Sequence, residues 1–180
     1  MEIERKYLIS SLPEHLEQYP HRQLEQGYLS TSPVVRVRKD DDKYELTYKS
    51  KGLMVREEHN LPLTKESYEH LRTKIDGRLI TKKRYCIPYG IYTIELDIFE
   101  GDLAPLVLAE VEFPTEQEAN AFIPPDWFIE DVTFSPLYHN SFFKSTSAQI
   151  KTEILPPFAL HILFCKIKFL VNRTHRFVNL

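Results

Sequence analysis

The chain has 180 residues and a formal charge of −3, with 42% hydrophobic and 27% charged residues. That is enough for one domain with a real core and barely enough for two, and it excludes wholesale disorder and a fibrous repeat. The slightly acidic balance speaks against a generic nucleic-acid coat, so no nucleic-acid partner is expected, while leaving room for a local basic cavity. Two cysteines, Cys86 and Cys165, can form neither a disulfide framework nor a cysteine zinc site, and they suit a reducing compartment. The N-terminus is charged from Glu2 onward and has no signal-peptide core. The most apolar stretch, Ile154 to Cys165, falls well short of the ~20 residues that span a bilayer. A cytoplasmic protein without a membrane span is expected.

In chain order, alternation comes first: Glu2, Glu4 and Lys6 share one face of an extended segment, and Ile3, Arg5 and Tyr7 the other. A helix or turn is predicted around Pro13 to Leu16. Strands are predicted over 23–29, 34–39, 43–49 and 54–63, separated by Ser30-Thr31-Ser32-Pro33, Asp40-Asp41-Asp42 and Ser50-Lys51-Gly52. The spacing of Tyr68, Leu71, Arg72 and Ile75 predicts a helix, with Thr64 or Ser67 as its N-cap and Gly77 as its stop. Strands resume over 79–88, 91–99 and 106–113. A capped helix start follows at Thr115 to Ala119, with Phe122 on its buried side and Pro124-Pro125 ending it. Eight strands in hairpin order predict a mainly β (α+β) fold, an antiparallel sheet or closed barrel with a few short helices. Residues 1–148 form the predicted domain. Residues 149–180 are a basic, apolar tail to which no role is assigned.

Charges recur on these strands at a spacing of two: Arg36/Arg38, Arg56/Glu58, Lys82/Arg84, Glu95/Asp97 and Glu110/Glu112, with Lys49 in phase with Thr47 and Glu45. Each set points to one side, and the intervening Val35/Val37, Ile94/Leu96/Ile98 and Val111/Phe113 make the other side apolar. Adjacent carboxylates repel unless a cation bridges them, and adjacent guanidinium groups call for an anion. The ladders suit a barrel with a charged interior that binds a metal on one wall and a polyanion on another.

Glu2-Ile3-Glu4-Arg5-Lys6 has the form Glu-x-Glu-x-Lys. It is followed in order by Gln26-Gly27-Tyr28-Leu29, Arg36-Val37-Arg38, Thr47-Tyr48-Lys49, Arg56-Glu57-Glu58, Lys82-Lys83-Arg84-Tyr85, Glu95-Leu96-Asp97 and Glu110-Val111-Glu112. Asp131-Val132-Thr133 and Tyr138-His139-Asn140 close the series. This set resembles the CYTH, or triphosphate tunnel metalloenzyme, superfamily, and most of all its small bacterial inorganic triphosphatases. The resemblance implies an eight-stranded antiparallel closed barrel, flanked by short helices, that hydrolyses a small-molecule triphosphate with Mg²⁺ or Mn²⁺. It implies Glu2, Glu4, Glu110 and Glu112 as metal carboxylates, with Glu95 and Asp97 as additional ones. Lys6, Arg36, Arg38, Lys49, Arg56, Lys82 and Arg84 are implied as the phosphate-binding wall, and Lys6 and Glu58 as candidates for a direct catalytic part. A homodimer is compatible with it. Tripolyphosphate is the expected substrate. Class IV adenylate cyclase, thiamine triphosphatase and a non-catalytic polyphosphate- or nucleotide-binding module are the alternatives.

Other residues carry plainer expectations. The seven histidines lack zinc spacing and are expected on the surface. Cys86 is expected in core packing, out of phase with Arg84. Trp127 is expected to anchor a loop, and Tyr28 to pack in the core. The five glycines are isolated and form no phosphate loop.

Overall fold

The computed structural model describes residues 1–144, so the expected boundary at 148 and the tail 149–180 lie outside the described residues. Ten strands are present among them: β1 (Glu2–Ile9), β2 (His21–Thr31), β3 (Val34–Asp40), β4 (Lys43–Lys49), β5 (Val55–Arg56), β6 (Glu58–Pro62), β7 (Ile80–Tyr89), β8 (Tyr92–Phe99), β9 (Val107–Glu112) and β10 (Phe128–Asp131). Two helices, α1 (Lys65–Arg72) and α2 (Glu116–Ala121), and short 3₁₀ turns complete the set. The pairings are antiparallel in the order β10-β1-β9-β8-β7-β2-β3-β4-β6, with β5 off this path against β1.

The mainly β antiparallel architecture is as expected, but the sheet is not the closed eight-stranded barrel. The predicted strand 54–63 divides at Glu57, where Ser50 N–H donates to the Glu57 carbonyl at 2.9 Å and Ser50 Oγ accepts from Glu57 N–H at 3.0 Å. One half, β5, then pairs with β1 through Glu2 and Ile3 only, while β6 pairs with β4. Further along, the same edge of β1 turns to β10 at Tyr7, Leu8 and Ile9. Shared in this way, the edge never forms one continuous closing ladder. β10 itself, Phe-Ile-Glu-Asp after a double proline, has no alternation to betray it.

Cross-strand partners share a face, and the register puts the charges together. Glu4 lies opposite Glu112, Lys6 opposite Glu110, Glu110 opposite Glu95, and Arg84 opposite Asp97. Both faces are buried: Val37, Leu96 and Val111 on one, Lys82 and Asp97 on the other. Cys86 corrects its expectation, since it pairs with Glu95 in phase with Arg84 and is half-buried.

The apolar side of β1, β8 and β9 packs under α2 and the segment after it, where Thr115 Oγ1 caps α2 by accepting from Glu118 N–H at 3.2 Å. Phe122 is the centre of this packing. Its ring lies 5.1 Å from Phe113, 5.7 Å from Tyr92, 5.9 Å from Tyr89 and 6.1 Å from Tyr7. Trp127 anchors its loop as expected: its carbonyl accepts from Ser10 N–H at 2.9 Å and its ring stacks edge-on to Phe128. On the same face, over β2, β3 and β4, α1 is capped by Thr64 Oγ1, and its buried Tyr68 donates to Glu25 at 2.7 Å. The helix ends at Arg72, before Gly77 is reached. Beyond it Ile75 lies over Gly27, where a Cβ would come within 2.5 Å of its side chain, so the chain there requires glycine.

The charged face does not run the length of the strands. Past Lys6 comes Leu8, past Asp97 comes Phe99, and before Lys82 and Glu110 come Ile80 and Leu108. These four join Tyr28, Leu103, Leu106, Val132 and Phe143 in a second apolar cluster that stops one end of the charged space. Replacing Phe122 by Ala should destabilise the fold by about 3–5 kcal/mol, the usual loss for a buried Phe, as measured by urea unfolding.

Candidate active site

Charged side chains from seven strands converge on one cleft of ≈ 550 Å³. Glu2, Glu4 and Lys6 come from β1, Arg36 and Arg38 from β3, Lys49 from β4, Arg56 from β5, Glu58 from β6, Arg84 from β7, and Glu110 and Glu112 from β9. Tyr28 and Val34 join them, and His139, Asn140 and Ser141 form a wall at the apolar end.

Most of these charges are wired to one another. Lys6 Nζ lies 2.6 Å from Glu4 Oε1 and bonds Glu110 as well. Burial opposes its charge, but Glu110 and Glu4 outweigh burial and hold its pKa above the ordinary lysine value. Arg84 grips Asp97 through two nitrogens at 2.7 and 2.6 Å, reaches Glu110 at 2.5 Å and bonds Glu95. Lys49 Nζ sits between Glu2 Oε1 at 2.5 Å and Glu58 Oε2 at 2.9 Å, and Arg56 lies 3.1 Å from Glu2. Despite burial, its contacts with Glu2 and Lys49 hold the Glu58 carboxyl down at about 2.

Charge is left over in two places. On the cationic side, Arg36 is buried and makes no ion pair among the described residues, and its Nε has no hydrogen-bond partner. Arg38 has only Glu45 at 3.2 Å, and its Nε is also unpartnered. Burial, then Arg36 and Arg84, press the Arg38 pKa down, and burial with Arg36 does the same to Lys49. On the anionic side, carboxylate oxygens of Glu2, Glu4 and Glu112 lie within 4.8 Å of one another. Glu112 has no cationic partner among the described residues. Burial, followed by repulsion from Glu95, Glu4 and Glu2, pushes its carboxyl up to about 7.

With this geometry in view, comparisons with known proteins are specific. The model of the CYTH domain matches residues 1–131. The chain is 42% identical over 145 residues to an inorganic triphosphatase of Nitrosomonas europaea, covering 77% of this chain and 93% of that protein. It is 35% identical over 145 residues to an inorganic triphosphatase of Acetivibrio thermocellus, covering 78% and 90%. A crystal structure of an inorganic triphosphatase superposes with a TM-score of 0.61 at 36% identity, over 81% of this chain and 95% of the other. A structure titled as a putative adenylyl cyclase from Hippeastrum shares the fold, with a TM-score of 0.55 at 14% identity over 88% and 99%. The chain belongs to the CYTH family.

This CYTH cleft brings together part of the expected site and rearranges the rest. Glu2, Glu4 and Glu112 form the acidic cluster, whereas Glu110, expected beside them, is bound by Lys6 and Arg84. Glu95 and Asp97 do not line the cleft and are engaged by Arg84, with Lys82 bonded to Asp97 beneath it. Five lining residues, Tyr28, Val34, His139, Asn140 and Ser141, escaped the sequence reading of the site. Tyr28 packs in the apolar cluster as expected and also lines the cleft, and buried His139 departs from the surface position expected of histidines.

The acidic cluster fits the divalent cation implied by the family. Oxygen donors suit Mg²⁺ or Mn²⁺, and a carboxyl raised by burial and by like-charged neighbours is one that a cation would hold in its charged form. A cation entering below pH 7 must displace the Glu112 proton. Mg²⁺ affinity should therefore rise about tenfold per pH unit up to about pH 7 and level off above it. Isothermal titration of the phosphate-free protein with MgCl₂ between pH 5.5 and 8.5 measures this, and Glu112→Gln should flatten the dependence.

Proposed function

We propose that this cleft hydrolyses inorganic tripolyphosphate to pyrophosphate and phosphate, with Mg²⁺ or Mn²⁺ held by Glu2, Glu4 and Glu112. The observation that carries the reading is the division of unspent charge within one cleft, with unpartnered guanidinium nitrogens on β3 and a carboxylate cluster on β1 and β9. A triphosphate carries roughly −1.5 to −2 on a phosphate end group alone, so its hydrolysis needs charge neutralisation and alignment more than covalent help. A polyanion-binding module would need only the cationic wall. The 42% identity to an inorganic triphosphatase supports hydrolysis.

Arg36 and Arg38, each with an unpartnered Nε, take phosphate oxygens. Lys49 and Arg56, already turned toward the cleft by Glu2 and Glu58, align the chain. Lys6 stays positive between Glu4 and Glu110 and places its charge beside the acidic cluster. When bound, the cation neutralises phosphoryl oxygens and acidifies water. Glu58, held near a pKa of about 2, is too weak a base to take a proton from water at neutral pH, so its part is to position Lys49. Lys82 and Asp97 brace Arg84 from below.

Phosphate release from tripolyphosphate, ATP and thiamine triphosphate, each with and without EDTA, tests the reading. Turnover should be fastest with tripolyphosphate and abolished by EDTA. Cyclic nucleotide formation from ATP, or binding without any turnover, would replace it. Arg36→Ala should lower kcat/KM about tenfold to a hundredfold, the loss of a charge-assisted hydrogen bond of about 1.5–3 kcal/mol, with an unchanged melting temperature. Lys82→Ala should act on the fold instead, losing stability on the scale of about 3–5 kcal/mol seen when a buried ion pair is broken.

A further inference from the structure

We propose that His139 is a further anion-binding residue of this cleft, one that joins the phosphate-binding wall by taking up a proton as the triphosphate enters. The inference rests on the triphosphate reading and adds to it a residue and a proton.

His139 follows β10 in the wall at the apolar end of the cleft, and it is 7% exposed. Its Nε2 lies 3.2 Å from the Thr133 carbonyl oxygen. A carbonyl can only accept, so Nε2 carries a hydrogen, and in the neutral ring Nδ1 is left as a bare acceptor. The same Thr133 is fixed from the other side, where its Oγ1 accepts from Lys6 N–H at 3.0 Å. The imidazole therefore cannot turn Nε2 to the cleft without abandoning a buried backbone acceptor. What the ring offers an occupant is Nδ1.

Phosphate oxygens also only accept. A neutral His139 would meet them lone pair to lone pair, whereas the protonated ring donates from Nδ1 and still satisfies Thr133 from Nε2. Without an anion the ring is kept neutral: burial acts first, then Lys6 on β1, and Arg56 on β5 adds less, against the pull of the Thr133 carbonyl and a weaker one from Glu4, itself held by Lys6. Across the cleft, Arg36 on β3 and Lys49 on β4 carry the same unfavourable sign, and Tyr28 on β2 is uncharged. A triphosphate among these cations reverses the field at the ring. The proton comes from solvent and ends on Nδ1. The sign follows: the complex binds one more proton than the free protein, so affinity falls as pH rises, by up to about tenfold per unit where the free ring is neutral and the bound ring charged.

The test is calorimetric titration of the full chain with tripolyphosphate in EDTA, which prevents turnover, in two buffers of different ionisation enthalpy. The wild type should take up about one proton more per bound tripolyphosphate than His139→Gln or His139→Lys. The lysine variant should keep the affinity and lose the pH slope, and the glutamine variant should bind about tenfold or more weakly. Melting temperatures check that both fold. ¹⁵N-histidine NMR of the wild type is independent of the variants, and the His139 ring should pass from the Nε2–H tautomer to the doubly protonated form on adding tripolyphosphate. Equal proton uptake by wild type and glutamine variant, or a ring that stays neutral in the complex, overturns the role of His139 and leaves the triphosphate reading standing. A wild type that neither binds tripolyphosphate in EDTA nor hydrolyses it with Mg²⁺ overturns both.

Discussion

A side chain that carries charge out of water loses several kcal/mol of hydration, which only nearby counter-charges and hydrogen bonds can offset. The inner face of this sheet is organised around that requirement. Glu110 holds Lys6 and Arg84, Asp97 holds Arg84 and Lys82, and Glu2 holds Lys49 and Arg56. Each acid serves two cations, and the links run from strand to strand where the register brings them together. The wiring fixes the directions of long, flexible side chains that would otherwise sample many rotamers. It also decides where charge is left unsatisfied, and Arg36, Arg38 and Glu112, which carry it, all line the cleft.

β1 is the strand through which this organisation passes. Its even-numbered residues supply two of the three clustered carboxylates and a lysine paired with two acids, while Ile3 and Tyr7 enter the core under α2. Its backbone is shared among β9, β5 and β10. Few positions on β1 are free to change without disturbing the cleft, the core or the sheet.

Much of this was legible in the sequence because it follows from a period of two. The alternation of Glu2/Glu4/Lys6, Arg36/Arg38, Lys82/Arg84 and Glu110/Glu112 places those side chains on one buried face whatever the pairing. Pairing itself is not local information. Nothing within Glu95-Leu96-Asp97 says that Arg84 will lie opposite Asp97 and claim both acids, so they read as metal ligands. The turn at Glu57 depends on Ser50, seven residues away, and the opening of the barrel depends on that turn. His139 was legible as part of a motif but not as part of the cleft, because its position is set by Thr133 and by apolar packing around Phe143 rather than by a strand.

The long reach of these ion pairs bears on how the chain folds. Lys6 and Glu110 are separated by 104 residues, and Arg5 and Asp131 by 126. Pairings this remote in sequence are slow to form, because a large loop must close before any contact rewards it. During vectorial synthesis β1 emerges well before its partner β9 and must wait for it. Until then Glu4 and Lys6 stay hydrated, and the hairpins β2–β3–β4 and β7–β8 can assemble without them. The cleft is thus among the last parts of the domain to form, and a ribosome stalled before β9 would hold a chain with most of its strands and none of its chemistry.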